Sequence, residues 1–332
     1  MKEGYIMEIH PLWHGYPELK NQLLKVDQVI HSHIQIKDKK IKEIINEVIQ
    51  SGGKLLRPAY ALLSSQIGPE QDQDKATAMA AALETLHIAT LMHDDVIDQA
   101  DTRRGKATLH QLNDNKFAIY AGDYLFSVCF SILSKYSSSL SNVAYNSRSM
   151  EKILIGELDQ LHSRFQPPNS IKSYLSRISG KTAQLFALSC YVGAVESKAS
   201  KRESQRAWNM GHYIGMAYQI TDDILDYQGD EEMMGKPVMK DAAQGIYTLP
   251  LIYAMQHDPE SVSKVLSKGD PLTKQDLDQL MICIERAKGI EKSQDIAQRY
   301  TEKALQQLSK LPDGDYKETL YELTNQLLKR TT

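Results

Sequence analysis

Cysteine is scarce in this chain of 332 residues, and the few cysteines form no pattern. Cys129, Cys190 and Cys283 are far apart, and each lies among apolar neighbours. An odd number at such spacing favours neither a disulfide framework nor a zinc site. The sequence therefore predicts three buried thiols in a reducing compartment.

Long uncharged segments are also absent. The longest stretch without Asp, Glu, Lys or Arg is Ala242–His257, which has 16 residues and is interrupted by Pro250. A membrane-spanning helix needs ~20 predominantly apolar residues, so we expect no transmembrane segment. The first ten residues, MKEGYIMEIH, lack the apolar core of a secretory signal. Together these absences favour a cytoplasmic protein.

Basic clusters and strand patterns are missing as well. The net charge is −3, and basic residues never run beyond adjacent pairs such as Lys39-Lys40. Nucleic-acid-binding domains carry a basic patch, so no nucleic-acid partner is expected. No segment alternates β-branched residues between hairpin turns, so we expect no β-sheet.

Helical periodicity fills most of the chain. With 42% hydrophobic residues and no linker, the sequence predicts one all-α domain over 1–332, a helical bundle around a central cavity. The predicted helices are Lys37–Gln50, Lys54–Ser65, Gln73–Asp98, Lys116–Lys135, Val143–Phe165, Ile171–Val195, Arg202–Tyr227, Thr248–His257, Pro271–Ala287, Ile290–Leu308 and Tyr316–Arg330.

One acidic motif, DDxxD, occurs twice, at 94–98 and at 222–226, each time inside an apolar helical stretch. Residues four apart share a helix face, so Asp94 lies beside Asp98, and Asp222 beside Asp226. Like charges so placed destabilise a helix slightly. A divalent cation between the two carboxylates recovers far more, because opposite unit charges ~4 Å apart attract by ~4 kcal/mol at an effective dielectric of 20. Carboxylates without nearby cysteine suit Mg²⁺, which favours carboxylates plus substrate phosphates. Two copies make a mere acidic turn a poor explanation, and they predict a diphosphate held through metal ions across the cavity.

Basic side chains accompany the motifs. Arg103 and Arg104 follow the first motif in a predicted turn, and guanidinium groups bind phosphate oxygens through a bidentate fork. Lys54 and Arg57 lie three apart at a helix start after a glycine pair, where anions bind readily. The alternatives are a solvated loop for the arginines and an ordinary helix start for the other two.

Other candidates lie within the predicted helices or just after the second motif. His87 is two turns before Asp94 on one helix face, although an isolated histidine there is more often a satisfied core residue. Lys181 and Thr182 lie in an apolar helix, where a lysine must reach solvent or meet an anion. Further candidates are Gln219, one turn before Asp223, and Lys236 in a loop that can close over a ligand.

In their order and spacing, these sequence motifs resemble those of the trans-prenyl diphosphate synthase family, the head-to-tail prenyltransferases, along nearly the whole chain. The matching words are GGKLLRP, LMHDDVIDQADTRRG, GDYLF, GKTAQLF, YQITDDILDYQGD and GKPVMKDAAQGIYTLPL. The resemblance leans toward medium- and long-chain polyprenyl synthases. It implies the isoprenoid synthase fold, condensation of isopentenyl diphosphate with an allylic diphosphate, and products from geranylgeranyl to heptaprenyl.

The resemblance also implies a role for each candidate residue. Mg²⁺, with three ions once substrate is bound, is held by Asp94 and Asp98, supported by Asp95, and by Asp222. Three basic residues add charge to the allylic diphosphate: Arg103, Lys181 and Lys236. Four residues bind isopentenyl diphosphate: Lys54, Arg57, His87 and Arg104. Thr182 and Gln219 lie near the forming allylic cation.

The chain departs from the family pattern at three positions. Met239 and Ala242 stand where a glycine and a leucine are expected, which puts the detail of the closing loop in doubt. Gln99 stands where another acid is common, which affects only an outer contact.

Product length is predicted from the helix that ends in the first motif. Ala89 and Thr90 are small where short-chain relatives carry aromatic rings, and Leu86 lies one turn deeper. We therefore expect a product longer than farnesyl. The alternative is that small residues merely permit close helix packing and the tunnel floor lies elsewhere, at Phe126.

Two other classes of protein compete with this interpretation. A terpene cyclase also uses DDxxD but typically carries a different second metal motif. A non-catalytic partner subunit of a heteromeric synthase lacks the acidic motifs. The second DDxxD is intact here, which favours a catalytic prenyltransferase. The resemblance also implies a homodimer, or a heterodimer with a subunit that lacks the motifs.

Overall fold

The computed structural model describes residues 9–50, 53–166, 170–228, 239–268 and 272–328. Its α-helices are α1 Pro17–His33, α2 Lys39–Ile49, α3 Leu56–Ser64, α4 Gln73–Ile97, α5 Leu109–Leu112, α6 Asn115–Tyr136, α7 Leu140–His162, α8 Ile171–Ile178, α9 Gln184–Glu196, α10 Lys201–Gln228, α11 Lys240–Ala243, α12 Leu249–His257, α13 Pro259–Leu266, α14 Lys274–Arg286, α15 Gly289–Ser309 and α16 Asp315–Leu328. A 3₁₀ turn at Pro11–Gly15 precedes α1, and a π-helical turn at Ser179–Ala183 joins α8 to α9. The all-α prediction is confirmed.

Three details of the secondary structure differ from the prediction. Helices α1 and α13 and the short α5 and α11 were not predicted, although α1 buries Leu19, Leu23, Val26 and Ile30 at helical spacing. The predicted helix Ile171–Val195 is interrupted by the π-helical turn. A two-stranded antiparallel hairpin, β1 Thr102–Arg103 and β2 Lys106–Ala107, corrects the expectation that strands are absent.

The chain divides into two compact units, residues 1–145 with 189–204 and residues 146–188 with 205–332. Each unit is described by itself. The assignment of 1–332 to one domain stays a prediction.

Helix α4 lies at the centre of the first unit and is packed by α1, α3 and α6. Its side chains are buried almost without interruption from Ala76 to Ala89, because alanine on most sides lets neighbouring helices approach closely. Asp72 caps the start of the helix by accepting the Lys75 N–H. Such burial fixes the rotation of α4, and with it the direction of the acidic residues at its end.

Helix α10 carries the second acidic motif in the second unit. Its residues Met216, Ile220 and Ile224 pack against Tyr174 of α8 and Ile252 of α12 in one buried cluster. Gly156 of α7 meets the π-helical turn so closely that a Cβ there would lie 2.9 Å from the carbonyl carbon of Gly180. Only glycine fits at this contact, which holds α7 against the turn.

Helix α6 is the one helix in the described ranges that is long and apolar enough to cross a membrane. It has 22 residues, and its most apolar window has a mean hydropathy of 1.5 with 44% of it buried. Core helices of non-membrane proteins pass the same test.

Candidate active site

The three acids of the first motif occupy different environments. Asp94 and Asp98 are half-buried at the end of α4, and the Asp98 N–H donates to the Asp94 carbonyl at 2.8 Å. Asp95 is buried, and its Oδ1 accepts from Arg103 Nε at 2.7 Å and Nη2 at 2.6 Å. The motif therefore presents Asp94 and Asp98 on one face, while Asp95 holds Arg103.

The hairpin after the motif directs the two arginines differently. Arg104 and Gly105 form its two-residue loop with φ of +52° and +76°, and two-residue hairpin loops of this kind need positive φ at both positions. A positive φ at a non-glycine residue costs ~1 kcal/mol. Arg104 reaches Gly53, where a Cβ would lie 2.9 Å from Arg104 Nη1, whereas Arg103 turns back to Asp95.

Two of the residues predicted to bind isopentenyl diphosphate, Arg57 on α3 and His87 on α4, contact each other. Arg57 Nη1 lies 3.0 Å from His87 Nε2, and because guanidinium only donates, the imidazole is the acceptor. Burial and then Arg57, Arg104 and Arg103 lower the pKa of His87 well below its ordinary value. His87 is therefore a neutral imidazole that orients Arg57.

A buried carboxyl lies behind these basic groups. Glu84 is buried one turn before His87; burial raises its pKa, and the charges of Arg57 and Arg104 oppose that shift. With Gly53, Leu55, Asp95, Arg103 and Arg104 it lines a cavity of the first unit that is otherwise mostly apolar. Lys54 is held at the adjoining helix start, where its carbonyl accepts from Trp13 Nε1 at 2.9 Å.

The predicted chain-length residues lie on the packed side of α4. Ala89 and Leu86 are buried, and Thr90 is half-buried with its hydroxyl donating to the His87 carbonyl at 2.8 Å. No aromatic side chain occupies these positions.

The second motif also separates its acids. Asp222 is half-buried on α10. Asp226 accepts from the backbone N–H groups of Lys240 at 3.2 Å and Asp241 at 3.3 Å, so it caps α11. Asp223 is buried and accepts from Tyr174 at 2.5 Å and from Gln219 Nε2 at 2.7 Å. Asp223 and Asp226 thus serve structural contacts, and this division suits Asp222 as the ligand that the resemblance implies.

Burial dominates the protonation equilibria of these acids. Burial, with Asp241 next, raises the pKa of Asp223 to about 8, although hydrogen bonds from Tyr174 and Gln219 oppose the shift. The same two causes raise the pKa of Asp226 to about 6. A cation bound beside Asp222 would offset the repulsion among these carboxylates.

The π-helical turn places Lys181 and Thr182. Lys181 Nζ lies 2.9 Å from Glu157 Oε2, and Thr182 Oγ1 donates to Gln219 Oε1 at 2.6 Å. Single π-turns inside α-helices frequently lie at functional sites. The lysine thus meets an anion on α7.

The closing loop is only partly described. Lys236 lies outside the described residues. Met239 has a φ of +59°, a conformation that favours glycine, so the departure from the expected glycine puts a strained residue there. Its side chain is buried with Ala242 and Tyr227, and this packing offsets part of the strain.

The carboxylate oxygens of the two acidic motifs are chemically suited to bind Mg²⁺. No three His, Cys, Asp or Glu side chains of the described ranges are grouped as a complete metal site. Mg²⁺ is usually held by one or two carboxylates plus substrate phosphates and water. Asp94 and Asp98, one helical turn apart, match that requirement in the first unit, and Asp222 offers a carboxylate in the second.

Comparison with known proteins identifies the family of this chain. The model of the family described as polyprenyl synthetase matches residues 38–284. The chain belongs to this family. It is a trans-prenyltransferase of isoprenoid biosynthesis, which confirms the predicted family, fold and enzyme class.

Individual relatives cover nearly the full length of both chains. The prenyltransferase is 34% identical over 315 residues to heptaprenyl diphosphate synthase component 2 of Geobacillus stearothermophilus, covering 95% of this chain and 98% of that protein. Geranylgeranyl pyrophosphate synthase of Lactobacillus brevis superposes with a TM-score of 0.91 at 38% identity, covering 96% and 99% of the two chains. Polyprenyl synthase of Caulobacter crescentus, complexed with calcium and isoprenyl diphosphate, superposes with a TM-score of 0.87 at 29% identity over 97% of each chain.

Two residues of the site were missed by sequence reasoning. Glu84 and Tyr174 are buried polar groups on helices, and each touches the site only through residues distant in sequence. A glutamate among alanines and leucines in α4 is the one signal that pointed to Glu84, since a buried carboxyl needs a partner.

Proposed function

We propose that this enzyme condenses isopentenyl diphosphate head-to-tail with an allylic diphosphate, to give a polyprenyl diphosphate longer than farnesyl, in the geranylgeranyl to heptaprenyl range. The observation that carries the product length is the wall of α4 before the first motif, where Ala89, Thr90 and Leu86 present no aromatic ring. The names of the relatives from Geobacillus and Lactobacillus support this range.

The residues then have distinct roles. Asp94 and Asp98 in the first unit and Asp222 in the second would hold Mg²⁺, three ions once the allylic substrate is bound, and the metal would supply positive charge for the pyrophosphate leaving group. Basic groups add charge to that diphosphate: Arg103, Lys181 and Lys236. Lys54, Arg57 and Arg104 bind isopentenyl diphosphate, with His87 orienting Arg57. The Caulobacter relative is complexed with calcium and isoprenyl diphosphate, which supports a divalent cation beside a diphosphate in this enzyme.

The reaction depends more on stabilisation of charge and exclusion of water than on a side-chain nucleophile. Ionisation breaks the allylic C–O bond, and the double bond of isopentenyl diphosphate attacks the resulting cation. Loss of a proton to the departed pyrophosphate restores an alkene. Acceptor oxygens on Thr182 and Gln219 lie near the cation, and fixed dipoles there stabilise charge without reorganisation.

A product assay tests the proposal directly. Purified protein is mixed with Mg²⁺, radiolabelled isopentenyl diphosphate and farnesyl diphosphate, and the products are separated by chain length. Labelled products longer than farnesyl are expected. Cyclised hydrocarbon or no product would contradict the proposal.

Conservative replacement of each arginine should show which of the two substrates that arginine binds. Arg104→Lys is expected to raise the KM for isopentenyl diphosphate about tenfold, ~1.4 kcal/mol, because an ammonium cannot form a bidentate contact. Arg103→Lys is expected to act mainly on the allylic substrate and to weaken the fork that grips Asp95. Steady-state kinetics with each substrate varied in turn measures both effects.

Lys106→Ala, an exposed change in the same hairpin, is the matched control and should leave both KM values unchanged. If neither arginine variant alters either KM, the hairpin is a solvated turn.

We further propose that the enzyme is cytoplasmic and dimeric, either with itself or with a subunit that lacks the acidic motifs. The buried thiols of Cys129, Cys190 and Cys283 suit a reducing compartment. The name "component 2" of the Geobacillus relative supports a second component. No nucleic acid or membrane-spanning role is proposed.

The outer face of α6 is the surface we expect the dimer to cover. Ile119 is 43% exposed, Tyr120 74% and Phe130 42%, and apolar side chains grouped in this way mark interaction sites. Phe130→Glu should shift the mass from dimer to monomer in light scattering, whereas Tyr321→Glu, an exposed aromatic on α16, should not. A wild-type monomer with full activity at micromolar concentration would contradict the proposal.

A further inference from the structure

Tyr174 belongs to no motif, yet it lies at the buried end of a hydrogen-bond chain that reaches two residues of the proposed site. Its side chain is fully buried on α8, and its hydroxyl donates to Asp223 Oδ2 at 2.5 Å. The other carboxyl oxygen of Asp223 accepts from Gln219 Nε2 at 2.7 Å. Gln219 Oε1 in turn accepts from Thr182 Oγ1 at 2.6 Å.

The Gln219 amide fixes the direction of the bonds at its end of the chain. Its NH₂ only donates and its carbonyl oxygen only accepts, so the NH₂ points at Asp223 Oδ1. The glutamine carbonyl is thereby turned toward Thr182, whose hydroxyl proton it accepts. The end of the chain opposite Tyr174 therefore exposes acceptor oxygens, the groups that stabilise a positive charge.

Without Tyr174 the orientation of Gln219 is less determined. Asp223 is buried, and a buried carboxyl oxygen without a donor is costly. It would seek another donor, and the nearest is the Gln219 NH₂, which already donates to the other oxygen. Drawn toward both oxygens, the amide would shift and its carbonyl oxygen would turn away from Thr182, so the acceptor oxygens would no longer be held in one direction.

We propose that Tyr174, acting through Asp223, is a positioning residue that sets the Gln219 carbonyl and the Thr182 hydroxyl toward the allylic cation. This inference rests on the proposed function, because it assigns Gln219 and Thr182 to the cation. It adds a residue outside the acidic and basic motifs to the machinery of ionisation. Tyr174 itself touches neither substrate nor metal in this assignment.

The test is Tyr174→Phe, which keeps the ring in its packing and removes only the hydroxyl. We expect kcat about tenfold lower, ~1.4 kcal/mol in the barrier, with the KM for isopentenyl diphosphate within about twofold of wild type, a change of less than ~0.5 kcal/mol. The matched control is Tyr316→Phe, because the hydroxyl of Tyr316, a buried residue of the same unit, donates to the Pro312 carbonyl at 2.6 Å. The control should lose similar thermal stability and keep its kcat.

A double-mutant cycle separates positioning from a merely structural effect. If Tyr174 acts through Gln219, adding Tyr174→Phe to Gln219→Ala should lower kcat by less than about twofold, because coupled residues are not additive. Full additivity, or a wild-type kcat for Tyr174→Phe alone, overturns the inference while leaving the proposed function intact. If the wild-type enzyme forms no prenyl product in the same assay, that result contradicts the proposed function instead.

Discussion

Replacing Asp94 by alanine is expected to lower kcat more than a hundredfold, at least ~3 kcal/mol in the chemical step. Asp94 and Asp98 share one face at the end of α4, while Asp95 is bound to Arg103. Removing Asp94 therefore removes half of the carboxylate pair of the first motif, and Asp95 cannot turn to replace it without releasing the arginine. Asp222→Ala should have an effect of the same order, because the other two acids of its motif are committed to buried hydrogen bonds and to the cap of α11.

The fold should survive both substitutions. Removing one of two like charges at helical spacing does not destabilise a helix, so thermal unfolding of Asp94→Ala should match wild type within a few degrees. Asp74→Ala, an exposed acid in the first turn of the same helix, is the control and should keep full activity. Near-wild-type turnover of Asp94→Ala at saturating Mg²⁺ would exclude Asp94 as a metal ligand.

These expectations depend on how the acids are distributed, and the sequence predicts only part of that distribution. Spacing along a helix places Asp98 beside both Asp94 and Asp95, because residues three and four apart are neighbours; the use of Asp95 to hold Arg103 is seen only in the structure. Spacing also pairs Asp222 with Asp226, and there the structure differs. Asp226 is used to cap α11, a contact with a segment 14 residues further along the chain, which periodicity within α10 cannot reveal.

For the loop that carries the two arginines, the sequence likewise predicts only part of the structure. The sequence predicts a turn with two phosphate-binding side chains, but not that the turn is a hairpin with strands of two residues each. Strands so short carry no alternating pattern. The positive φ of Arg104 is what sends adjacent arginines to different partners, Asp95 and the helix start at Gly53.

Buried polar partners are the part of the site that one sequence reveals least. Tyr174 and Glu84 lie on predicted helices; a glutamate among alanines and leucines signals that a partner is needed, but the sequence does not identify that partner, and nothing local distinguishes Tyr174. Their roles come from long-range contacts to Asp223 and to the charges of Arg57 and Arg104. Such contacts depend on tertiary packing, which no local pattern encodes. The π-helical turn that places Lys181 was likewise predicted as plain α-helix.

A single change on α4, Ala89→Phe, is expected to shorten the product. Ala89 lies five residues before Asp94, on the buried side of a helix of 25 residues, which rises ~37 Å at 1.5 Å per residue. In the tunnel we propose, a chain that grows away from the metal ions runs beside this helix, past Leu86 and Ala82, which are also buried and not aromatic. A phenylalanine ring at position 89 would close that path near its beginning, so farnesyl diphosphate should accumulate in place of longer products.

The ring also enters a packed interior, and overpacking costs ~1–3 kcal/mol. Ala80→Phe separates the two effects, because Ala80 is equally buried on the opposite side of α4, nine residues earlier. Both variants should lose thermal stability, but only Ala89→Phe should change the chain length measured by chromatography. Ala89→Leu, with a smaller side chain, should shift the product by less. If the wild-type enzyme stops at farnesyl, or Ala89→Phe leaves the distribution unchanged, the tunnel does not run beside Ala89, and the small residues of α4 serve only to let its neighbouring helices pack closely.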